Sequence, residues 1–427
     1  MLRFLTAGES HGKGLITIID NFPAGVKIDE EFINEKLRLR QSGYGRGARQ
    51  KIETDKIEFL SGVRGGLTTG SPISFFIKNK DYENWRDRMD VYKPVPEESK
   101  IHTPRPGHAD FAGSIKFGLD DIRNVLERSS ARETASRVAV GAICQIFLKN
   151  FGIEFASAVL NIGGIGIETA EILPDTHAAK KKGSELNSDP FFSETAETDR
   201  FSIDIFDPAI RQNIENSELR MPHPELEEKT KDYIDKMKAE GDTVGGLITA
   251  QVKGVPVGLG SFTQWDEKLD AHISMSVMSI QAIKSVEIGA GVKSAYLKGS
   301  ECHDSIYSQS SDKEKRRDSA VCGFYRKTDN AGGIEGGMSN GEIISVICAM
   351  KPIPTLMKPY LDTVDLNTCE AKKAFLERSD VCAVPAASIV VESAIAFSIC
   401  YFFLKKFGGD SFAEIKRNYD GYIKNEQ

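Results

Sequence analysis

The 427-residue chain lacks the sequence patterns of several large enzyme classes. No Gly-x-Gly-x-x-Gly motif follows a predicted strand, because the glycines of residues 43–47 have a different spacing. Neither a Walker phosphate loop nor a His-Glu-x-x-His motif occurs. These absences argue against a Rossmann dehydrogenase, a P-loop ATPase and a zincin metalloprotease.

Cysteine is scarce and follows no pattern. The seven cysteines include no Cys-x-x-Cys pair, which suits reduced thiols in a cytoplasm better than a disulfide framework or a zinc site. We therefore expect no metal centre. The apolar stretch after Met1 is interrupted by charge too early for a secretory signal, so we expect no export.

Long apolar runs are also rare, and one of them requires a membrane test. Residues 385–404 approach the roughly 20 residues that span a bilayer. Glu392 lies in the middle of this run, and Lys405, Lys406 and Gly408 follow it, as is typical of a helix end. The pattern predicts a buried core helix and a cytoplasmic protein without a membrane partner. A second helix is predicted between Pro224 and Gly241.

Basic charge is concentrated locally in a chain whose formal net charge is −7. Residues 36–51 contain six basic side chains and no acid, and residues 105–110 and 128–134 combine arginine with glycine, serine or histidine. Guanidinium groups bind phosphate and carboxylate through paired hydrogen bonds, and glycine lets backbone N–H groups approach the same oxygens. These segments predict a site for a small, multiply charged anion. The alternative, a nucleic-acid patch, is disfavoured by the negative net charge.

Three short segments of the first third recur in the same order later in the chain. Residues 14–17, 65–70 and 126–129 return as 246–249, 336–341 and 376–379. The recurrence predicts an α/β domain spanning residues 1–427, with duplicated halves at about 1–152 and 241–408 and an inserted segment at about 167–220. Arg128 and Arg378 then occupy equivalent positions, and we expect them to face a common cleft.

Two histidines stand beside the basic segments. His108 follows Arg105 and Gly107, so an anion held by the arginine lies within reach of an imidazole, which can donate a proton near neutral pH. His11 precedes a β-prone run. A ligand-facing role and a turn histidine bonded to the backbone are equally compatible with its motif.

Arg128 and Arg132 are four residues apart, and the spacing predicts that they share one face of a helix whose start Ser129 and Ser130 cap. An ion-paired surface helix is the alternative, which the small number of adjacent acids disfavours.

Two further segments leave alternatives open. The prolines of residues 351–355 fix an extended backbone that suits either a wall against a planar ring or a loop. Asp380 lies two residues after Arg378, and this spacing favours charge neutralisation over a role as a base.

Taken together, the motifs resemble those of the chorismate synthase family. The matching segments are Gly8-Glu9-Ser10-His11-Gly12, Gly43-Tyr44-Gly45-Arg46-Gly47, Arg105-Pro106-Gly107-His108-Ala109-Asp110, Glu127-Arg128-Ser129-Ser130-Ala131-Arg132-Glu133-Thr134, Lys351-Pro352-Ile353-Pro354-Thr355 and Glu377-Arg378-Ser379-Asp380. The resemblance covers nearly the whole chain, and it departs from the family chiefly by insertions near residues 167–220 and 302–318.

The resemblance implies a fold, a reaction and an assembly. The fold is an α/β sandwich of two repeated βαβ-type units with antiparallel strands, assembled as a homotetramer. The reaction is that of a carbon–oxygen lyase of the shikimate pathway, which makes chorismate from 5-enolpyruvylshikimate 3-phosphate by an anti 1,4-elimination of phosphate. Reduced FMN is required and is not consumed. NADPH as an indirect reductant and an external flavin reductase are sources of reduced flavin that the sequence leaves open.

The resemblance also implies residue roles. The residues that would bind the substrate's phosphate and two carboxylates are Arg40, Arg46, Arg49, Arg105, Arg132 and Arg378. His11 would protonate the departing phosphate, His108 would contact the N1 region of the flavin, and Asp380 would act with flavin N5 in removing the ring hydrogen. The implied FMN-binding residues are Arg128, Ser129, Ser130, Gln281, Ala282, Gly336, Lys351, Pro352, Ile353, Pro354, Thr355 and Arg378. A flavin reductase, in which the arginines hold the phosphates of FMN and NADPH, is the competing enzyme hypothesis.

Overall fold

A computed structural model describes residues 1–47, 54–166, 203–308, 323–374 and 379–426. The predicted site residues Arg49 and Arg378 lie outside these described residues, as do most of both inserted segments.

The described residues form strands joined by helices and short hairpins. The strands are β1 (Arg3–Ala7), β2 (Gly14–Asp20), β3 (Ile57–Ser61), β4 (Val63–Arg64), β5 (Leu67–Thr68), β6 (Ile73–Lys78), β7 (Glu154–Ile162), β8 (Ile165–Gly166), β9 (Gly246–Lys253), β10 (Ile283–Ile288), β11 (Ile306–Ser308), β12 (Phe324–Arg326), β13 (Ile334–Glu335), β14 (Met338–Ser339), β15 (Ile344–Met350), β16 (Asp362–Val364) and β17 (Ala371–Lys373). The helices are α1 (Glu30–Gln41), α2 (Tyr82–Trp85), α3 (Asp110–Phe117), α4 (Arg123–Ser129), α5 (Thr134–Lys149), α6 (Pro208–Asn216), α7 (Glu227–Glu240), α8 (Leu269–Met278), α9 (Gly299–Cys302), α10 (Val384–Phe407) and α11 (Phe412–Glu426).

Two antiparallel sheets share one strand order. The first runs β1-β2-β6-β3, and the second runs β8-β7-β9-β15-β10, so that β7, β9, β15 and β10 correspond to β1, β2, β6 and β3. In the first sheet β2 and β3 both pair antiparallel with β6, so they run parallel to each other and α1 connects them. In the second sheet β9 and β10 flank β15 in the same way, and α8 connects them. Strand β7 precedes the second predicted half but pairs with β9 inside its sheet.

A glycine hairpin precedes the central strand of each sheet. Gly65 and Gly66 join β4 to β5 with φ angles of 60° and 77°, and Gly336 and Gly337 join β13 to β14 with φ angles of 60° and 84°. Glycine adopts these left-handed conformations without the strain of a Cβ atom, which is why tight hairpins use it. The recurrence noted in the sequence therefore corresponds to one local structure that occurs twice.

Helices α5 and α10 pack against each other and contact both sheets. Helix α5 contacts β2 and β7, and α10 contacts β7 and β9. Helix α10 is long and apolar enough to cross a membrane by length and composition, but 83% of its apolar window is buried inside the protein. This confirms the predicted core helix, and Gly408 follows it with a φ of 57°. The predicted helix after Pro224 is also confirmed, because α7 ends at Gly241 with a φ of 79°.

The predicted helical face shared by Arg128 and Arg132 is wrong. Helix α4 ends at Ser129, Ser130 is extended, and a 3-10 turn (Ala131–Glu133) separates α4 from α5. The Ser130 hydroxyl accepts a hydrogen bond from Arg132 N, a local side-chain bond that competes with helix continuation. This interruption of the helix directs Arg128 and Arg132 to different neighbours.

Candidate active site

A buried carboxylate joins two of the predicted anion-binding arginines. Asp55, which precedes β3, lies 2.6 Å from Arg132 Nη1 and 3.6 Å from Arg40 Nη1 through Oδ2. Arg40 is in the last turn of α1 and also donates to Thr134 Oγ1 and to the Ala131 carbonyl at 2.8 Å. The small number of acids beside Arg132 in the sequence therefore does not leave it without an acidic partner. Asp55 belongs neither to α1, which carries Arg40, nor to the 3-10 turn that carries Arg132.

The electrostatics of this cluster favour an added anion. The pKa of Arg40 is lowered to about 9, chiefly by burial; Asp55 and Asp380 oppose this lowering, and the neighbouring Arg132 and Arg46 add to it. Two carboxylates, Asp55 and Asp380, face three guanidinium groups, and Asp55 Oδ1 and Arg46 Nε are buried without a hydrogen-bond partner among the described residues. A phosphate or carboxylate ligand would add negative charge where it is lacking.

Arg46 links the first half of the chain to the second. Its Nη1 lies 2.7 Å from Asp380 Oδ2, while the N–H of Gly47 donates to Asp380 Oδ1 at 2.6 Å. The Gly45 carbonyl accepts from Val381 N at 2.9 Å. Gly45 has a φ of 83°, and a Cβ there would lie 3.0 Å from Cys382 Cβ, so this close approach requires glycine. Asp380 is thus held against the arginine cluster.

His11 is held by a carboxylate rather than by the backbone contacts of a turn histidine. Its Nδ1 lies 2.8 Å from Glu127 Oε1, and its backbone N–H donates to Glu127 Oε2 at 2.7 Å. Burial raises the pKa of Glu127, but the His11 hydrogen bond and nearby Arg123 outweigh burial and lower it. The imidazole also stacks on Trp85, with ring centroids 3.9 Å apart. These contacts fix the ring in place.

Asn79 connects the His11 loop to the arginine cluster. Its side-chain amide donates to the carbonyls of Glu9, Ser10 and Gly12 at 3.0, 3.1 and 2.8 Å. Its Oδ1 accepts from Arg132 Nε at 2.8 Å. Asn79 follows β6 and is completely buried. One side chain therefore sets the position of the histidine loop relative to Arg132.

His108 belongs to a second buried ion-pair cluster. Its Nδ1 lies 2.5 Å from Asp110 Oδ1, and Arg105 Nε donates to Asp110 Oδ2 at 2.8 Å. Burial raises the pKa of Asp110, but the hydrogen bonds from His108 and Arg105 outweigh it and hold the pKa well below its ordinary value. An ionised carboxylate only accepts hydrogen bonds, so His108 donates from Nδ1. Asp110 thereby orients both side chains.

The segment 351–355 forms a wall beside this cluster. Thr355 Oγ1 accepts from Arg105 Nη1 at 2.9 Å, and Lys351 Nζ donates to the Gly107 carbonyl at 2.7 Å. The backbone N–H of Lys351 donates to the carbonyl of Ala282, which has a left-handed φ of 68°. Such a φ strains a residue with a Cβ and often marks a functional site. These contacts hold the segment 351–355 against the His108 loop and against Ala282.

A cavity of about 410 Å³ lies nearby and contains two predicted cofactor residues, Arg128 and Gln281. Arg128 Nη2 donates to Thr6 O and Thr6 Oγ1 at 2.9 and 2.7 Å. Gln281 Oε1 is buried without a partner among the described residues. Glu133 accepts from Arg137 Nε at 2.9 Å and orients this side of the cavity. The cationic Arg128 and the polar Gln281 therefore line the same space.

Comparisons with known proteins identify the family. The family model described as chorismate synthase matches residues 2–404. The chain belongs to the chorismate synthase family. The chorismate synthase of Geobacter metallireducens is 49% identical over 424 residues, 99% of this chain and 98% of that protein. That of Alkaliphilus metalliredigens is 50% identical over 423 residues, 99% of both chains. A crystal structure of chorismate synthase matches with a TM-score of 0.70 at 37% identity, covering 99% of this chain and 98% of that one.

As a member of this family the chain is an enzyme, a lyase. Its predicted site residues fall into three connected groups. The first contains Arg40, Arg46, Arg132 and Asp380, and Asn79 joins it to His11. The second contains Arg105, His108 and the segment 351–355. The third lines the cavity.

The remaining predicted residues of this chorismate synthase family member are less connected. Ser130 Oγ donates to Ser10 Oγ at 3.1 Å, beside His11, whereas Ser129 Oγ donates back to the Val125 carbonyl within α4. Gly336 is in the hairpin before β15, and Lys351 follows β15, so a seven-residue strand separates them. Within one chain Gly336 does not lie beside the segment 351–355.

Sequence reasoning missed the side chains that hold the site together. Asp55 and Asn79 belong to no motif, and no sequence signal pointed to either. Glu127 and Asp110 stand inside recognised motifs but received no role. For Asp110 the available signal was its position two residues after His108, whereas Glu127 is 116 residues from His11 and no sequence signal pointed to their contact.

Proposed function

We propose that this protein converts 5-enolpyruvylshikimate 3-phosphate to chorismate by an anti 1,4-elimination of phosphate, with reduced FMN bound and not consumed. The observation that carries the proposal is the meeting of Arg40, Arg46 and Arg132 from the first half of the chain with Asp380 from the second. A substrate that carries a phosphate and two carboxylates supplies the anionic groups that this cluster lacks.

Substrate binding and proton removal are coupled through Arg46. Asp380 is occupied at both oxygens, by Arg46 Nη1 and by Gly47 N. An anionic substrate group that binds Arg46 competes with Asp380 Oδ2 and releases it. The freed carboxylate oxygen then accepts the ring hydrogen as a proton, in concert with the cofactor. Asp380 therefore becomes an effective base only when substrate is present.

His11 donates the proton to the departing phosphate. Glu127 contacts His11 Nδ1, stabilises the imidazolium as an ion pair and keeps Nδ1 turned away from the substrate. The other ring nitrogen, Nε2, then delivers the proton. Asn79 keeps the His11 loop at a fixed separation from Arg132, so the phosphate held by the arginine meets the acid.

The residues of the cavity and the adjoining wall fit FMN. Arg128 provides a cation for its phosphate, and Gln281 provides a polar side chain in the same cavity. The two prolines of the segment 351–355 hold an extended wall on which a planar ring can lie, and Arg105, which donates to His108 Nε2, places positive charge at its edge. Reduced FMN, when bound, supplies electron density to the allylic system as the phosphate leaves. Thr355 and Lys351 hold this wall against the His108 loop.

The architecture that we propose is a sandwich of two duplicated βαβ-type units, residues 1–152 and 241–408, with β7 completing the second sheet. The shared strand order, the two matched glycine hairpins and the packing of α5 against α10 support it. The segment around 167–220 is an insertion.

We further propose that the protein is a cytoplasmic homotetramer. The outer face of the first sheet exposes Leu5, Ile16, Ile18 and Leu60 by 41–69%, an apolar surface suited to a second copy. The six cysteines of the described residues are free, as in a reducing compartment. Analytical ultracentrifugation measures the assembly.

Phosphate release tests the proposed reaction. The protein is mixed anaerobically with 5-enolpyruvylshikimate 3-phosphate and chemically reduced FMN, and we expect equal amounts of phosphate and chorismate. Arg46→Gln is expected to abolish turnover, whereas Arg64→Gln, at an exposed arginine of β4, is the matched control. Absence of phosphate release from folded wild-type protein refutes the proposal. NADPH oxidation without any shikimate compound would instead favour the flavin reductase and would identify a direct source of reduced flavin.

A further inference from the structure

We propose that Trp85 is a positioning residue for His11, whose indole fixes the plane of the imidazole that protonates the leaving phosphate. The inference rests on the proposed function of His11. The imidazole and indole rings are stacked with centroids 3.9 Å apart and planes 27° apart. The ion pair with Glu127 holds only Nδ1, so the imidazole could still tilt about that contact. A stack this close, with nearly parallel rings, restricts this tilt.

The contacts around Trp85 form a closed ring. Arg123 lies 5.0 Å from the indole centroid and donates from Nη1 to Glu127 Oε1 at 3.4 Å. Glu127 Oε1 in turn contacts His11 Nδ1, and His11 stacks on Trp85. Displacement of any one member moves the others. Trp85 therefore belongs to the set of groups that orient the proposed acid, although it does not itself bond to the reacting atoms.

The position of Trp85 along the chain strengthens this role. It ends the short helix α2, which begins three residues after Asn79. Asn79 holds the carbonyls on both sides of His11, so its segment fixes the loop from one side and presents Trp85 to the imidazole from another. Glu127 contacts His11, Arg123 and Arg88 lie 5.0 and 5.5 Å from the indole centroid, and Glu9 of the His11 loop lies beside Gly12.

Fluorescence tests the contact without any assay of activity. The chain has two tryptophans, and Trp265 is 79% exposed, so Trp265→Phe leaves Trp85 as the single emitter. An imidazole stacked on an indole at this distance alters the indole emission. We expect the Trp85 emission of the Trp265→Phe protein to differ in intensity from that of a Trp265→Phe, His11→Gln double variant, which lacks the stacked ring. Equal emission from the two folded proteins overturns the contact.

Kinetics test the positioning role. The interaction energy of an aromatic stack corresponds to a factor of about 2 to 10 in a rate. We therefore expect Trp85→Leu to lower kcat by up to about 10-fold with little change in KM. Trp85→Phe keeps a ring face and is expected to recover most of the lost activity. Circular dichroism and the melting temperature of each variant control for folding. An unchanged kcat in Trp85→Leu, or a Trp85→Phe variant as slow as Trp85→Leu, overturns the role of the stack. Failure of wild-type protein to release phosphate refutes the proposed function instead, while the fluorescence result stands.

Discussion

Asn79→Ala is the substitution whose consequences can be worked out most directly from the structure. The amide NH₂ has two hydrogens and reaches three carbonyls at 2.8–3.1 Å, so its loss removes about two neutral hydrogen bonds worth about 1 kcal/mol each. The bond from the charged Arg132 is worth about 1.5–3 kcal/mol. Together these bonds predict a loss of about 4 kcal/mol in the free energy of unfolding.

The same substitution is expected to impair catalysis. Without Asn79 the His11 loop and Arg132 are no longer held at one separation, and a displacement of about 1 Å lowers turnover by about 100-fold. Urea denaturation gives the stability change, and phosphate release under anaerobic conditions gives kcat. Asn84→Ala is the matched control, because Asn84 is exposed and bonds only locally to Asp81. A stability loss below about 1 kcal/mol in Asn79→Ala, or an equal loss in Asn84→Ala, refutes this reasoning.

Three further substitutions or conditions test other parts of the structure. An anion beside Arg40 favours the charged guanidinium and raises its pKa from about 9. Binding of a phosphate ester at pH 9 is therefore expected to take up protons, which calorimetry in buffers of different ionisation enthalpy measures. Equal binding heats in all buffers contradict this prediction. Glu392→Gln removes the buried charge that Lys36 pairs with and is expected to cost about 3–5 kcal/mol in urea denaturation, and a loss below about 1 kcal/mol contradicts it. Gly45→Ala adds a Cβ at a φ of 83° and 3.0 Å from Cys382 Cβ, so a fall in melting temperature is expected, and a stability equal to wild type contradicts the close approach.

The parts of the fold that were predictable depend on neighbours along the chain. The core helix α10 and the helix α7 follow from apolar spacing, a flanking proline and a terminal glycine, all of which act within one or two turns. The two glycine hairpins are equally local, because a left-handed φ is a property of one residue. These elements could be predicted before any packing was known.

The break between α4 and α5 shows where local rules conflict. Residue spacing favoured one continuous helix through Arg128 and Arg132, but the hydroxyl of Ser130 caps the following turn instead. The two competing local structures differ by about one hydrogen bond, so tertiary contacts decide between them. In the structure with the interrupted helix, Arg132 forms buried bonds to Asp55 and Asn79.

The sequence by itself determined the family, the clusters of basic residues and the main helices, since these depend on residue types in order along the chain. The tertiary structure decided which acids face which bases. Asp55 lies 77 positions from Arg132, and Asp380 is in the opposite half of the chain from Arg46. Such pairings depend on how the two sheets pack about α5 and α10, because side chains distant in sequence meet only after burial of the core has brought their backbones together.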